Sequence, residues 1–256
     1  MRFTLFLSVL VAAAAFVFPC AGIGADSAEE LIQKGDGFSA KFQSAEALKY
    51  YLPAEKLDPK NARLLVRIAQ QYRHLMSDAK SKFDKMELGT MAVVCALRAA
   101  ALAPNDPETQ LAVAISYGKL TPFVSAKDQF AYSPLIKAAA ERSVALDPSN
   151  DLAWQVLGRW NFAVAEVGAF KRTMAKIAYG SLPTATYEDA VRCFQKAILL
   201  NPNRLMHHIE LGRTYKQMGR DADARKSILK GLALPDTERD DPETKASGRE
   251  MLKKLR

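Results

Sequence analysis

Residues 193–202 read Cys193-Phe194-Gln195-Lys196-Ala197-Ile198-Leu199-Leu200-Asn201-Pro202, and the reading of this stretch decides the fold. Up to Leu200 it is made of residues that suit a helix. Pro202 then stops that helix, because it has no N–H and its ring clashes with the turn before it. The residue ahead of a proline is also pushed out of the α region. The closing phrase recurs as Leu57-Asp58-Pro59, Leu102-Ala103-Pro104 and Leu146-Asp147-Pro148, and more loosely as Leu234-Pro235. The prolines are spaced by 45, 44, 54 and 33 residues. An Asx residue near each phrase is placed to cap the helix that follows. The chain is therefore an array of helical repeats, and each phrase marks the end of one.

The interior of the repeats agrees. Trp154, Leu157 and Gly158 are followed by Ala190, Phe194, Ala197 and Pro202. This is the large residue, Leu-Gly and then Ala, aromatic, Ala and Pro pattern of a tetratricopeptide (TPR) helix pair. Leu211, Gly212 and Tyr215 followed by Ala224 and Ile228 repeat it. Ile68, Ala69 and Tyr72 with Ala92 and Ala99, and then Ala114 and Tyr117, are looser copies. The last proline spacing is close to the 34-residue TPR period and the others exceed it, so residues are inserted between the two helices of a repeat. These inserts fall near 76–88, 121–133 and 163–186. The first two read as loops or helix extensions, with Thr121-Pro122 and Ser133-Pro134 as breakers. The third is apolar and basic, and reads as a longer amphipathic helix pair. Ser27–Lys34 and Ala45–Lys56 read as a first pair joined by a Gly35-Asp36-Gly37 turn, and Pro242–Leu255 as a capping helix over the last apolar face.

Composition fits this picture, with 49% hydrophobic and 25% charged residues and no alternating β-branched runs. The expected fold is all-α: a TPR-like solenoid over residues 26–256, of about five helix pairs with inter-helix insertions and a C-terminal capping helix.

Residues 1–25 stand apart. No charge occurs between Arg2 and Asp26, Phe3 to Phe18 is apolar, and Pro19, Gly22 and Gly24 follow. This is the pattern of a secretory signal peptide ending near Gly24-Ala25. The charge-free run is also long enough for a signal anchor. The expectation is a protein in a periplasm, a secretory lumen or the extracellular space, or one held to a membrane by residues 3–25. Pro19 and Phe18 precede Cys20 where lipoprotein processing prefers small residues. Cys95 and Cys193 fall at the same position on second helices two repeats apart, beyond the reach of a disulfide. They are expected to be buried small hydrophobes.

The charge is +8 overall and uneven. Residues 171–256 carry 18 Lys and Arg against 11 Asp and Glu, whereas residues 1–170 carry 18 against 17. An electropositive C-terminal third attracts acidic partners or anionic lipid. No basic motif interleaved with aromatics points to nucleic acid.

Leu157-Gly158-Arg159-Trp160, Pro183-Thr184-Ala185-Thr186-Tyr187-Glu188-Asp189-Ala190 and Cys193-Phe194-Gln195-Lys196-Ala197 carry a more specific likeness, which runs on through Leu200-Asn201-Pro202. Here the chain resembles the regulator of microtubule dynamics family, over roughly residues 27–256 and best from 150 onward, as far as Asp240-Asp241. The resemblance implies a TPR-like fold without enzymatic activity. It also implies association with microtubules and spindle poles in some members. In an animal branch it implies anchoring at mitochondria, contact with the endoplasmic reticulum and lipid binding by the TPR domain. No convincing copy of that branch's recognition motif for its endoplasmic-reticulum partner is present. Microtubules are an expected partner only if the N-terminus is not exported.

Catalytic chemistry is not expected. His74, His207 and His208 are the only histidines, and the adjacent pair points about 100° apart on a helix, which excludes joint chelation. No CxxC pair, phosphate loop, GxSxG or HExxH motif occurs. Glu29-Glu30 and Asp240-Asp241 read as adjacent surface acids. No metal or other cofactor is implied. TPR stacks bind through the concave face of their first helices. The repeat register places Arg63, Gln70, Arg73, Arg159, Phe162, Arg213 and Lys216 there, a set suited to a carboxylate, phosphate or acidic peptide. A protein or acidic peptide is thus the expected partner. Phe170, Lys171, Arg172, Met174 and Lys176 of the third insert offer a second surface for lipid or a partner helix.

Overall fold

A computed structural model describes residues 26–167 and 184–255, and all of its regular structure is helical. The helices are α1 (Ala28–Ser39), α2 (Ser44–Leu57), α3 (Ala62–Asp78), α4 (Lys82–Leu102), α5 (Pro107–Leu120), α6 (Ala126–Leu146), α7 (Asp151–Glu166), α8 (Tyr187–Leu200), α9 (Leu205–Gln217), α10 (Asp221–Ala233) and α11 (Asp241–Lys253). They form five antiparallel pairs, α1/α2 to α9/α10, with α11 packed on the last pair.

The Leu-x-Pro phrases do what their chemistry requires. Helices α2, α4, α6 and α8 end at Leu57, Leu102, Leu146 and Leu200. Asn61, Asp106 and Asn150 then accept backbone N–H groups of Leu64, Glu108 and Ala153, and so cap α3, α5 and α7. Inside the pairs the small residues permit close approach. A Cβ on Gly158 would lie 2.7 Å from Phe194 Cε1, so the absence of one lets the fully buried Phe194 ring lie flat on α7. Burial of a side chain of that size stabilises by about 3 kcal/mol.

Helix α7 joins two apolar clusters. Trp160 belongs to the one built by α1 to α6, and its indole N–H donates to Ser133 O at 2.9 Å. Phe162 belongs to the one built by α8 to α11, and packs on Tyr187 with ring centroids 5.5 Å apart. Cys95 and Cys193 are both buried and free, and burial pushes each thiol up to about 11.

Three readings of the sequence are corrected. Gly35-Asp36-Gly37 is no turn; it lies inside α1, and the chain reverses over residues 40–43, where Phe42 has φ 57°. Gly35 serves packing instead, since a Cβ there would come 2.4 Å from Tyr51 Cε1. The hydroxyl of Tyr51 donates to Asp36 Oδ1 at 2.6 Å, which fixes the acid between the two glycines. Ser133-Pro134 breaks nothing; Pro134 is exposed within the 21-residue α6. The first two inserts are mainly helix extensions, since α4 and α6 have 21 residues each where α2 and α8 have 14. Thr121-Pro122 does interrupt the chain, as a short 3-10 turn between α5 and α6. Finally, Asp241 is no surface acid. It is 1% exposed, and its carboxylate accepts the backbone N–H groups of Thr237 at 2.8 Å and Glu238 at 2.7 Å.

Candidate functional site

The first helices form one continuous row, because α3 touches α5, α5 touches α7, α7 touches α9, and α9 touches α11. The expected contact residues fall on this row at unequal depths. Arg63 is exposed at the start of α3, with Asp106 at 3.9 Å, and Gln70 is exposed farther along the same helix. Arg73 is only 8% exposed and donates to Ser116 Oγ of α5 at 3.0 Å. Arg159 is exposed on α7, whereas Phe162 turns into the core. Arg213 is half-buried on α9, 3.7 Å from Glu210 and 3.3 Å from Ser247 Oγ of α11, and Lys216 is half-buried one turn on. Arg159 and Arg213 thus follow Leu-Gly at matching places on neighbouring first helices. No hydrogen bond or ion pair joins either of them to Arg63, Gln70 or Arg73 among the described residues. Phe170, Lys171, Arg172, Met174 and Lys176 lie outside the described residues.

A feature that the sequence did not disclose crosses the same row. The non-helical connection 234–240 between α10 and α11 reaches back to α3 and α5. The Arg239 guanidinium pairs with Asp78 at the end of α3. Lys119, in the last turn of α5, donates to Asp240 Oδ2 at 2.8 Å and to Ser77 Oγ at 3.3 Å. Arg204, at the start of α9, holds Glu238 at 3.2 Å. Burial alone would raise the Asp240 carboxyl, but the Lys119 ammonium, with help from His74 and Arg239, outweighs it and holds the group below its ordinary value. His74 is pushed down to about 4, first by burial and then by the Arg239, Lys119 and Arg73 charges around it. Burial lowers Arg73 to about 10, which leaves it charged at neutral pH.

The other histidines are structural. His207 is fully buried, with Nε2 2.7 Å from Asp151 Oδ2, and the Arg204 guanidinium lies 3.1 Å from the same carboxylate oxygen. This triad ties the start of α7 to the start of α9. His208 Nε2 donates to Pro202 O at 2.8 Å. Among the described residues no group of three or more His, Cys, Asp and Glu is placed to hold a metal ion, and no helix is long and apolar enough to cross a membrane. Lys119, Arg204 and Asp78 were not legible as site residues. Their only sequence signal is the run Glu238-Arg239-Asp240-Asp241 opposite them, which shows charges without an address.

A row of antiparallel helix pairs, packed closely over small residues, defines a TPR-type helical-repeat scaffold. Solved structures agree on the fold: a thermophilic TPR protein from Thermus thermophilus matches with a TM-score of 0.64 at 15% identity, covering 87% of this chain and 99% of its own. The Pseudomonas aeruginosa PilF structure matches with a TM-score of 0.54 at 16% identity, over 89% of this chain and 91% of its own. Within that class the chain belongs to the regulator of microtubule dynamics protein 1-3 family, whose profile matches residues 30–256. Regulator of microtubule dynamics protein 1 of Bos taurus is 26% identical over 96% of this chain and 75% of its own length. Regulator of microtubule dynamics protein 3 of Xenopus laevis is 25% identical over 87% of this chain, which spans 49% of that relative.

Proposed function

We propose that this chain is a non-enzymatic scaffold that captures a protein through an acidic peptide segment laid along its row of first helices. The observation that carries the reading is the pair Arg159 and Arg213, placed alike on the adjoining helices α7 and α9. Arg159 is exposed and has no ion pair among the described residues, and Arg213 reaches its nearest acid, Glu210, only at 3.7 Å. Guanidinium groups so placed are available to bind carboxylates in a bidentate manner. The reading without a catalytic role is supported by the histidines, each engaged by Ser44, Asp151 or Pro202, and by the two described thiols, Cys95 and Cys193, both buried and hard to ionise.

The test is fluorescence anisotropy with a labelled hexaglutamate peptide. Arg159→Glu combined with Arg213→Glu is expected to weaken binding at least about tenfold, or about 1.4 kcal/mol. Unchanged affinity would overturn these two residues as the contact.

A second reading follows from family membership: the relatives are named as regulators of microtubule dynamics. It requires that residues 1–25 leave the repeat domain in the cytoplasm. Co-sedimentation of the full chain with polymerised microtubules tests it, and a chain that stays in the supernatant rules it out. Export by residues 1–25 is the proposed alternative, and it excludes that partner. The lipid-binding alternative rests on the 163–186 insert, most of which lies outside the described residues. Co-purifying lipid in mass spectra of gently prepared protein would support it.

A further inference from the structure

The strap 234–240 is held in a way that resembles a bound ligand more than a piece of core. Residues 235–238 are exposed, and no side chain of residues 236–241 enters either apolar cluster. Three consecutive side chains of alternating charge instead meet three partners of opposite charge on three separate first helices. Glu238 meets Arg204 of α9 at 3.2 Å, Arg239 meets Asp78 of α3, and Asp240 meets Lys119 of α5 at 2.8 Å. The last two pairs join residues 161 and 121 positions apart in sequence. Ser77 Oγ, 3.3 Å from the Lys119 ammonium, helps to aim it. Arg73, whose backbone carbonyl accepts from Ser77 Oγ at 3.2 Å, is a buried cation with no carboxylate partner among the described residues.

We propose that Arg204, Asp78 and Lys119 form a recognition site for an extended peptide carrying an acidic–basic–acidic triplet, and that Glu238-Arg239-Asp240 occupy it as an internal ligand. The proposal rests on the reading of the first-helix row as a peptide-binding face, and specifies what that face reads. A partner segment of the same charge order enters by displacing the strap. Each of the three pairs keeps one partner a third or more exposed, and such pairs hold weakly, so the side chains of 238–240 can let go while the backbone clamp of Thr237 and Glu238 on the buried Asp241 stays with α11. While the strap is in place it competes from within the molecule, at an effective concentration of millimolar order for so short a tether. The intact chain is therefore poorly receptive until its partner is abundant or multivalent.

The test uses the full chain and a fluorescein-labelled peptide with the sequence of residues 235–241, Pro-Asp-Thr-Glu-Arg-Asp-Asp. A control peptide has every Asp and Glu replaced by Asn and Gln. The wild type is expected to bind the peptide weakly. Arg239→Ala with Asp240→Asn is expected to bind it at least about tenfold more tightly, since the internal competitor is loosened. Adding Lys119→Glu is expected to abolish that gain. The proposal is overturned if the double variant binds no more tightly than the wild type, or takes the control peptide equally well. A lowered melting temperature without gain of binding would make the strap a structural tie and nothing more. If the double variant fails to fold, the isosteric Asp240→Asn alone carries the same expectation with a smaller gain.

The outcomes separate from those of the scaffold reading. Loss of hexaglutamate binding in the Arg159→Glu, Arg213→Glu protein, with no gain on loosening the strap, sinks this proposal alone. The converse sinks Arg159 and Arg213 and keeps this site. Failure of both peptides on every variant sinks both.

Discussion

Replacing Gly212 by Ala sets two opposing effects against each other inside one helix. Alanine suits a helix interior better than glycine by about 1 kcal/mol. Against this, a Cβ on Gly212 would lie 2.5 Å from Ile228 Cγ1, 3.0 Å from Ala224 O and 3.2 Å from Ile228 N. Two of those three atoms are backbone, so a rotamer change cannot relieve the contact and α10 must move away from α9. Ile228 and Ala224 are both fully buried, and such a shift costs them packing on every side. Overpacking of this kind costs about 1–3 kcal/mol, and the steric term should win because the obstacle is a whole helix. With the cost in the upper part of that range, about 2–3 kcal/mol, subtracting the propensity gain of about 1 kcal/mol leaves a net loss of about 1–2 kcal/mol, or a fall of about 3–6 °C in Tm for a domain of this size. Gly118 supplies the internal control. It is exposed on α5, and a Cβ there would meet nothing within 4 Å, so Gly118→Ala keeps only the propensity gain and should raise Tm slightly. Thermal melts followed by far-UV circular dichroism compare the two. The reasoning is refuted if Gly212→Ala melts at or above the wild type, or if both substitutions shift Tm equally and in the same direction.

Three further outcomes are expected. Asp151→Ala removes the partner of the buried His207 and one of two partners of Arg204, and should cost about 2–3 kcal/mol in urea unfolding; a loss under about 0.5 kcal/mol would make the triad incidental. Acidification should destabilise the fold through His74, whose pKa is about 4 when folded against an ordinary histidine value of 6.5. The unfolded chain takes up that proton first, so this contribution is complete above about 6.5 and is lost as pH falls towards about 4. His74→Gln should flatten that part of the urea-midpoint profile, and an unaltered profile would exclude His74 as the cause. Asp240 and Asp151, both held below the ordinary aspartate value, add losses at still lower pH. Mass spectrometry of the mature protein should find its first residue near Ala25; an intact Met1 would favour an anchored chain and reopen the cytoplasmic readings.

Local chemistry made most of the fold legible. A Leu-x-Pro phrase stops a helix by the geometry of the proline ring, and Asn61, Asp106 and Asn150 start the next one wherever the chain goes afterwards. Leu157-Gly158 and Leu211-Gly212 announce close helix pairs because only a missing Cβ admits Phe194 or Ile228. The same rules misread Gly35-Asp36-Gly37, since a glycine needed for contact with Tyr51 looks, in one dimension, like a glycine needed for a turn. They misread Pro134 as well, because an exposed proline within a long second helix is carried by the packing of that helix.

The candidate site divides along the same line. The residues themselves announced repeats, their register and the arginine that follows each Leu-Gly, because these depend on neighbours within a few turns. Burial of Arg73, the His207–Asp151–Arg204 triad and the strap across α3, α5 and α9 depend on residues brought together from far apart in the chain. Arg239 and Asp78 stand 161 positions apart, and only the stacking of the helix pairs brings them into contact. Charge order is written in the chain; which charges face one another is settled by how the helix pairs stack.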